Sequence, residues 1–328
     1  MGGHVMTGVA SFDALRARAL GRTGTARCAV PGAADDHAVE AVFLAQRLGY
    51  ATPVLIGQED AIRPVVERLG FADDRHVIVE CPAERNPSEV AVELVRQGEA
   101  DFILKGNITT KELLGPILNK ATGLNDNGFI THFGLMQITG YHKLLAMSDS
   151  AVIPYPTLED KRRIVEICTQ TLRRLGVTTP VVAALCSVEV VNPKMVETVE
   201  AAALAEMSER GELGDAVVVG PISFDLATCA HSAAIKGYIS PYAGDVDMLL
   251  VPQMVTGNVM SKIWNVDPAN ILAGCLVGAR VPIALTSRSA SMNEKLHSLL
   301  LCSLLSGPPI ERPSLAGTGP STTQNHAE

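Results

Sequence analysis

The stretch DFILKGNITTKELL, residues 101–114, opens with an apolar run, breaks at Lys105-Gly106-Asn107 and resumes at helical spacing. An apolar run of this length reads as a buried strand, and Thr109-x-x-Glu112 is a capping-box pattern that starts a helix. The unit is therefore strand, tight turn, helix. Beyond the carboxyl end of such a strand, a helix N-terminus turns free N–H groups toward anions. Lys105, Gly106, Asn107 and the threonines Thr109 and Thr110 are thus candidate ligand-binding residues. An ordinary βα turn has the same composition, so this stretch alone leaves both readings open.

Working outward, the same grammar recurs. Upstream strands are expected at 26–30, 53–57 and 76–80, with a helix over 35–49 that has Asp35 or Asp36 as N-cap and Gly49 as its stop. Alternating short apolar runs and helical segments predict an α/β fold with mainly parallel sheets and helices on both faces. From 125 the texture changes, and NDNGFITHFGLMQITGYHKLLAMSDS reads as an antiparallel hairpin. Its apolar part, near 128–147, is a candidate subunit interface. The rhythm then returns, with helices near 157–175, 193–211, 225–236 and 255–265, strands at 180–185, 216–220, 247–251 and 271–278, and a last pair formed by VPIALTS and the helix after Ser291. The tail, 307–328, has four prolines and no periodicity and is expected to be disordered.

Composition narrows the function classes. A chain of 328 residues suits two medium α/β domains, and 47% hydrophobic residues supply the core. A net charge of −8 and an aromatic content of 4% argue against nucleic acid and membrane surfaces as partners, so an anionic ligand must be held by local geometry. The seven cysteines are scattered, with no C-x-x-C pair, and read as small buried hydrophobes of a reducing, cytoplasmic setting. Neither H-E-x-x-H nor zinc spacing occurs, so no metal is expected. No apolar stretch is long enough to span a bilayer. The loops of P-loop NTPases, dinucleotide enzymes and α/β-hydrolases are absent.

Two further junctions carry chemistry. IALTSRSASMNEKL, 283–296, ends a strand in Ser287 and Arg288 before an amphipathic helix. An Arg fork with Ser hydroxyls at a helix start suits phosphate, although Ser291-x-x-Glu294 is equally a capping box. GYISPYAGDVDMLLVPQMVTGN, 237–258, places Gly244, Asp245 and Asp247 before a strand, and Gly257 and Asn258 near the start of a helix. Paired acids there are candidates for ligand binding, or for holding a loop by Asx hydrogen bonds.

Taken together, these stretches resemble the phosphate acetyltransferase and phosphate butyryltransferase family over most of 25–305. LTSR followed by a helix is similar to the family's terminal signature, and 81–107, 187–213 and 240–262 resemble the butyryltransferase branch. The resemblance implies a two-domain fold similar to isocitrate and isopropylmalate dehydrogenases, with an active-site cleft between domains. Domain I would be 1–125 with 284–306, and domain II 126–283. It implies reversible transfer of a short acyl group, acyl-CoA plus phosphate giving acyl phosphate plus CoA, by a homodimer or higher homo-oligomer. Coenzyme A would be a substrate, with no tightly bound cofactor. Ser287 would stabilise the oxyanion, Arg288 would hold phosphate, and Glu294 would be the base. Two departures, Gly115 where an Arg is usual and Ala290 where an acid is usual, favour an alternative: a catalytically degenerate member that binds CoA or acyl phosphate as a regulator or scaffold.

Overall fold

The computed structural model describes residues 9–286 and 290–307, so Ser287 and Arg288 lie outside the described residues. In chain order the first part comprises α1 (Phe12–Leu20), β1 (Ala26–Pro31), α2 (Asp36–Arg47), β2 (Ala51–Gly57), α3 (Glu59–Arg68), β3 (Val77–Glu80), α4 (Pro87–Arg96), β4 (Phe102–Leu104) and α5 (Thr110–Leu118). Helix α1 was not marked by the sequence. Its Ser11 caps the start, and it buries Phe12, Leu15 and Ala19. Asp35 caps α2 by accepting the Ala38 N–H, and Thr109 and Glu112 form the reciprocal capping box of α5.

The hairpin follows as β5 (Thr131–Gln137) and β6 (Leu145–Ser148), then α6 (Leu158–Leu175), β7 (Val181–Leu185), α7 (Val196–Glu209), β8 (Val217–Ile222), α8 (Phe224–Thr228), α9 (Ala230–Lys236), β9 (Met248–Leu250), α10 (Met254–Trp264), β10 (Ile271–Val277), β11 (Ile283–Ala284) and α11 (Met292–Leu305). The single helix expected over 225–236 is two, broken where Cys229 is extended. The break makes room for a turn. Gly244, at φ +75°, lies so close to α9 that a Cβ would stand 2.3 Å from the Ala230 nitrogen, and its N–H donates to the Leu226 carbonyl.

Among the described residues eleven strands form one sheet in the order β3-β2-β1-β4-β11-β10-β5-β6-β9-β7-β8. From β3 to β11 every pairing is parallel, and so is every pairing from β6 to β8. Between them β10 runs antiparallel to both β11 and β5, and β5 antiparallel to β6. Residues 278–282 are too few for a crossover, so β10 must return on itself into β11. Gly278, at φ +98°, makes that turn with its Cα against the Phe129 carbonyl, where a Cβ would stand 2.4 Å away. The expected hairpin is present, but as the middle of the sheet. Phe133, Leu135, Leu145 and Ala146 are buried within the chain itself, while Gly128, Thr139, Gly140 and His142 of the same stretch are exposed.

A buried clasp fixes the second half. Lys143 Nζ lies 2.8 Å from Asp245 Oδ1 and 2.8 Å from Asp247 Oδ1, while Asp247 Oδ2 accepts the Val181 N–H at 2.9 Å. These contacts bind the start of β6 to β9 and β7. Burial alone would raise the Asp245 carboxyl, but hydrogen bonds from Lys143 and His142 outweigh it and hold the group below its ordinary value. Lys143 and Asp247 are 3% and 2% exposed, so removing one partner strands the other in low dielectric. Lys143→Met is expected to cost about 3–5 kcal/mol in urea unfolding, and Lys143→Met with Asp247→Leu to recover only part of it, because the Val181 N–H then lacks its acceptor. A loss below about 1 kcal/mol, the scale of a surface pair, contradicts the clasp.

Candidate active site

The antiparallel centre of the sheet is the floor of a cavity of about 400 Å³. β5 and β10 pair through Gly134 opposite Gly274, so two residues without side chains leave open space above the sheet. Strand alternation puts His132, Gly134 and Met136 on that face, and Met147 and Leu272 border it. The walls come from separate elements. Lys105, Thr109 and Thr110 enter from the β4–α5 junction, Thr286 and Glu294 from the β11–α11 junction, and Ser150 from the loop after β6. Asn258, Ser261, Lys262 and Asn265 line it from α10, at the i, i+3, i+4, i+7 spacing of one helical face.

A second cavity, of about 550 Å³, adjoins the first and shares Lys105, Thr109 and Thr286 with it. Gly106, Asn107, Asp35, His37 and Lys295 line this part. Gly106 is required by close approach, since a Cβ would stand 2.4 Å from the Gly32 carbonyl oxygen. The Asn107 N–H donates to that same carbonyl at 2.8 Å.

Glu294 sits at the third position of α11. Its N–H donates to Ser291 Oγ at 3.1 Å, yet its carboxylate does not complete the box to the Ser291 N–H, as Glu112 does for Thr109. Glu294 lines the cavity instead. Burial pushes its pKa above the ordinary glutamate value, against the opposing pull of Lys295. Buried Ser298 anchors this turn by donating to the Glu294 carbonyl at 2.8 Å and accepting the Gly274 N–H at 3.0 Å. Helix and floor are thereby tied at one point.

The loop after β6 is organised by Asp149, whose Oδ2 accepts from Thr131 Oγ1 at 2.7 Å and the His132 N–H at 2.9 Å, while Oδ1 accepts the Ala151 and Val152 N–H groups. Ser150 is thereby held with its Oγ 2.8 Å from His132 Nδ1. Burial lowers the His132 pKa, against the pull of Asp149, so the imidazole is neutral at pH 7. Asn258 reaches the Ser150 carbonyl at 3.2 Å, and Gly257 lets α10 approach, because a Cβ there would stand 2.9 Å from the Asp149 oxygen.

The fold therefore brings together Lys105, Thr109, Thr110, Asn258 and Glu294, with Gly106 and Asn107 in the adjoining cavity and Gly257 packed behind. It places Gly244, Asp245 and Asp247 elsewhere, at the amino end of β9 in the Lys143 clasp. The paired acids hold a loop and a lysine. Gly115 is exposed on α5 and lines neither cavity, and a Cβ there would meet nothing within 4 Å. His132, Ser150 and Lys262 were missed by the sequence reading. The signal for His132 was its alternation with Gly134 and Met136 along one strand face.

The chain matches the phosphate acetyl/butaryl transferase family model over residues 76–302. It is 36% identical to the phosphate butyryltransferase of Clostridium acetobutylicum over 86% of its length and 93% of that protein's. It is also 36% identical to the phosphate acetyltransferase of Thermotoga maritima, over 84% of its length and 93% of that protein's. A branched-chain phosphotransacylase structure from Enterococcus faecalis superposes with a TM-score of 0.76 at 28% identity, covering 86% of this chain and 99% of that one. With the strand-end cavity and these matches, the chain belongs to the phosphate acetyl/butaryl transferase family.

Proposed function

We propose that this enzyme moves a short acyl group between CoA and inorganic phosphate, with the reacting atoms in the cavity over β5 and β10. The observation that carries the reading is Glu294, a half-buried acid left out of its own helix cap and lining a cavity that Lys105 and Lys262 also line. Met136, Met147 and Leu272 give the same cavity an apolar side suited to a short acyl chain, butyryl or similar. The adjoining cavity lengthens the site along Lys105 and Lys295, as an extended, anionic CoA requires.

A CoA thiol has a pKa near that of cysteine, about 8.5, so a base must remove its proton. Glu294 takes it, and its raised pKa makes that transfer less uphill. The thiolate attacks the acyl phosphate carbonyl, and phosphate departs with the C–O electron pair. Arg288 holds that phosphate and Ser287 stabilises the oxyanion, both roles resting on the family resemblance. In the reverse direction phosphate attacks the thioester. CoA enters and leaves as a substrate.

A division into two domains, 1–125 with 284–306 and 126–283, belongs to this proposal, as does a cleft between them like that of isocitrate and isopropylmalate dehydrogenases. The reversal of sheet polarity between β11 and β10 supports the boundary. Homo-oligomerisation is supported by α10, whose polar face lines the cavity while Val255, Val259 and Ile263 are exposed on the other side. A cytoplasmic setting is supported by seven cysteines that are all free. Among the described residues, no helix is long and apolar enough to cross a membrane.

Phosphate-dependent release of CoA from acetyl-, propionyl- and butyryl-CoA tests the reaction. Turnover of at least one thioester is expected, with Arg288→Ala losing on the order of 10²–10³ in rate and Glu294→Gln on the order of 10²–10⁴. CoA binding without release from any thioester would favour the regulator or scaffold. Glu294 also has a stability signature. Its raised pKa means that the folded state disfavours the ionised form, so the stability it lends at low pH is lost as pH rises through that pKa. Glu294→Gln should therefore melt above wild type at pH 8 and level with it at about pH 4, below the ordinary glutamate pKa of about 4.3. Full activity in Glu294→Gln contradicts the role of base. Val259→Glu with Ile263→Glu should lower the mass measured by light scattering, and an unchanged mass removes α10 from the interface.

A further inference from the structure

His132 and Ser150 stand in the cavity, and the roles assigned above to Glu294, Ser287 and Arg288 leave them unused. Ser150 is 5% exposed, and its hydroxyl has one partner among the described residues, His132 Nδ1 at 2.8 Å. If Nδ1 carried the imidazole proton and donated it, the serine O–H would have no protein acceptor among the described residues, and a buried donor left so costs about 1–3 kcal/mol. The arrangement that satisfies both groups has Ser150 Oγ–H donating to Nδ1. A neutral imidazole that accepts at Nδ1 carries its proton on Nε2. Nε2 has no protein partner among the described residues and lies over the glycine floor, where a Cβ on Gly274 would stand 2.8 Å from it. An N–H is thus held on the side of the cavity across which the acyl group must lie.

We propose that His132 is a further catalytic residue of this enzyme, its Nε2–H donating to the carbonyl oxygen of the acyl group in the transition state, and that Ser150 is the positioning residue that sets the tautomer. The step balances without another reactant. As the C–S bond forms from the thiolate, the carbonyl π pair moves onto oxygen, and the hydrogen bond from Nε2–H to that oxygen strengthens with the charge. When the pair returns, the C–O bond to phosphate breaks, phosphate leaves with its electrons and His132 keeps its proton. In the opposite direction the same donor serves phosphate attack on the thioester. A neutral donor suits this work, because an imidazolium would hand its proton to the departing thiolate or phosphate. Gly274 then has a second duty, since any side chain there would press on Nε2.

This inference rests on the acyltransferase reading, and its test separates the two. The nitrogen shifts of ¹⁵N-histidine-labelled protein, with His132 assigned by comparison with His132→Gln, report the tautomer without any substrate. A bare, pyridine-like Nδ1 and a protonated Nε2 are expected, and the opposite tautomer overturns the proposal. In the CoA-release assay, wild-type turnover tests the reading itself. Against that rate, His132→Ala should lose on the order of 10²–10³ in kcat, the loss usual for one oxyanion donor, with KM for phosphate and thioester little changed. Ser150→Ala removes a single oxygen and should lose on the order of tenfold, with Ser150→Thr restoring most of it. A wild-type kcat in folded Ser150→Ala and His132→Ala overturns the proposal, as does a loss confined to KM.

Discussion

The site depends on one antiparallel pairing. β10 lies between β11 and β5, reversing the sheet between two parallel halves, and its short return into β11 leaves no alternative register. That pairing sets Gly274 opposite Gly134 and so opens the floor. It also delivers α11, through Ser298, to the edge of that floor with Glu294 lining the cavity. The parallel first half brings Lys105 to the same place from the end of β4. Each chemical group stands on a different element, and the central strands are what they share.

Charge follows the same economy. A chain of net charge −8 does not attract anions as a whole, so the proposed binding of anions relies on a few cations at the cavities. Lys105 and Lys262 line the first cavity, and Lys105 and Lys295 the second. Burial acts on the acid and the imidazole, raising Glu294 and lowering His132. In the proposed reaction the first shift favours a base and the second a neutral donor.

Much of this was legible in the residues because it is local. The turn after 101–104, the capping box at Thr109 and the hairpin texture after 125 are written in neighbouring side chains, and all three are found in the fold. Long-range facts were not legible. Asp245 and Asp247 look like ligand groups until Lys143, about a hundred residues earlier, is seen between them. His132 looks like one polar residue in an apolar strand until β10 supplies a glycine beneath it. The hairpin's apolar side chains suggested an interface because the core residues they pack against come from far along the chain. Helix α10 shows the converse: its polar face turns inward, so only the cavity explains its pattern.

The reaction proposed above places the reacting atoms in the cavity over β5 and β10. A crystal structure of the full chain with CoA and phosphate bound tests it most directly. The CoA thiol is expected within hydrogen-bond reach of the Glu294 carboxylate, phosphate against Lys105, and the pantetheine running into the adjoining cavity past Lys295. A thiol resting elsewhere, for instance in the groove beside the exposed edge of β8, would contradict it.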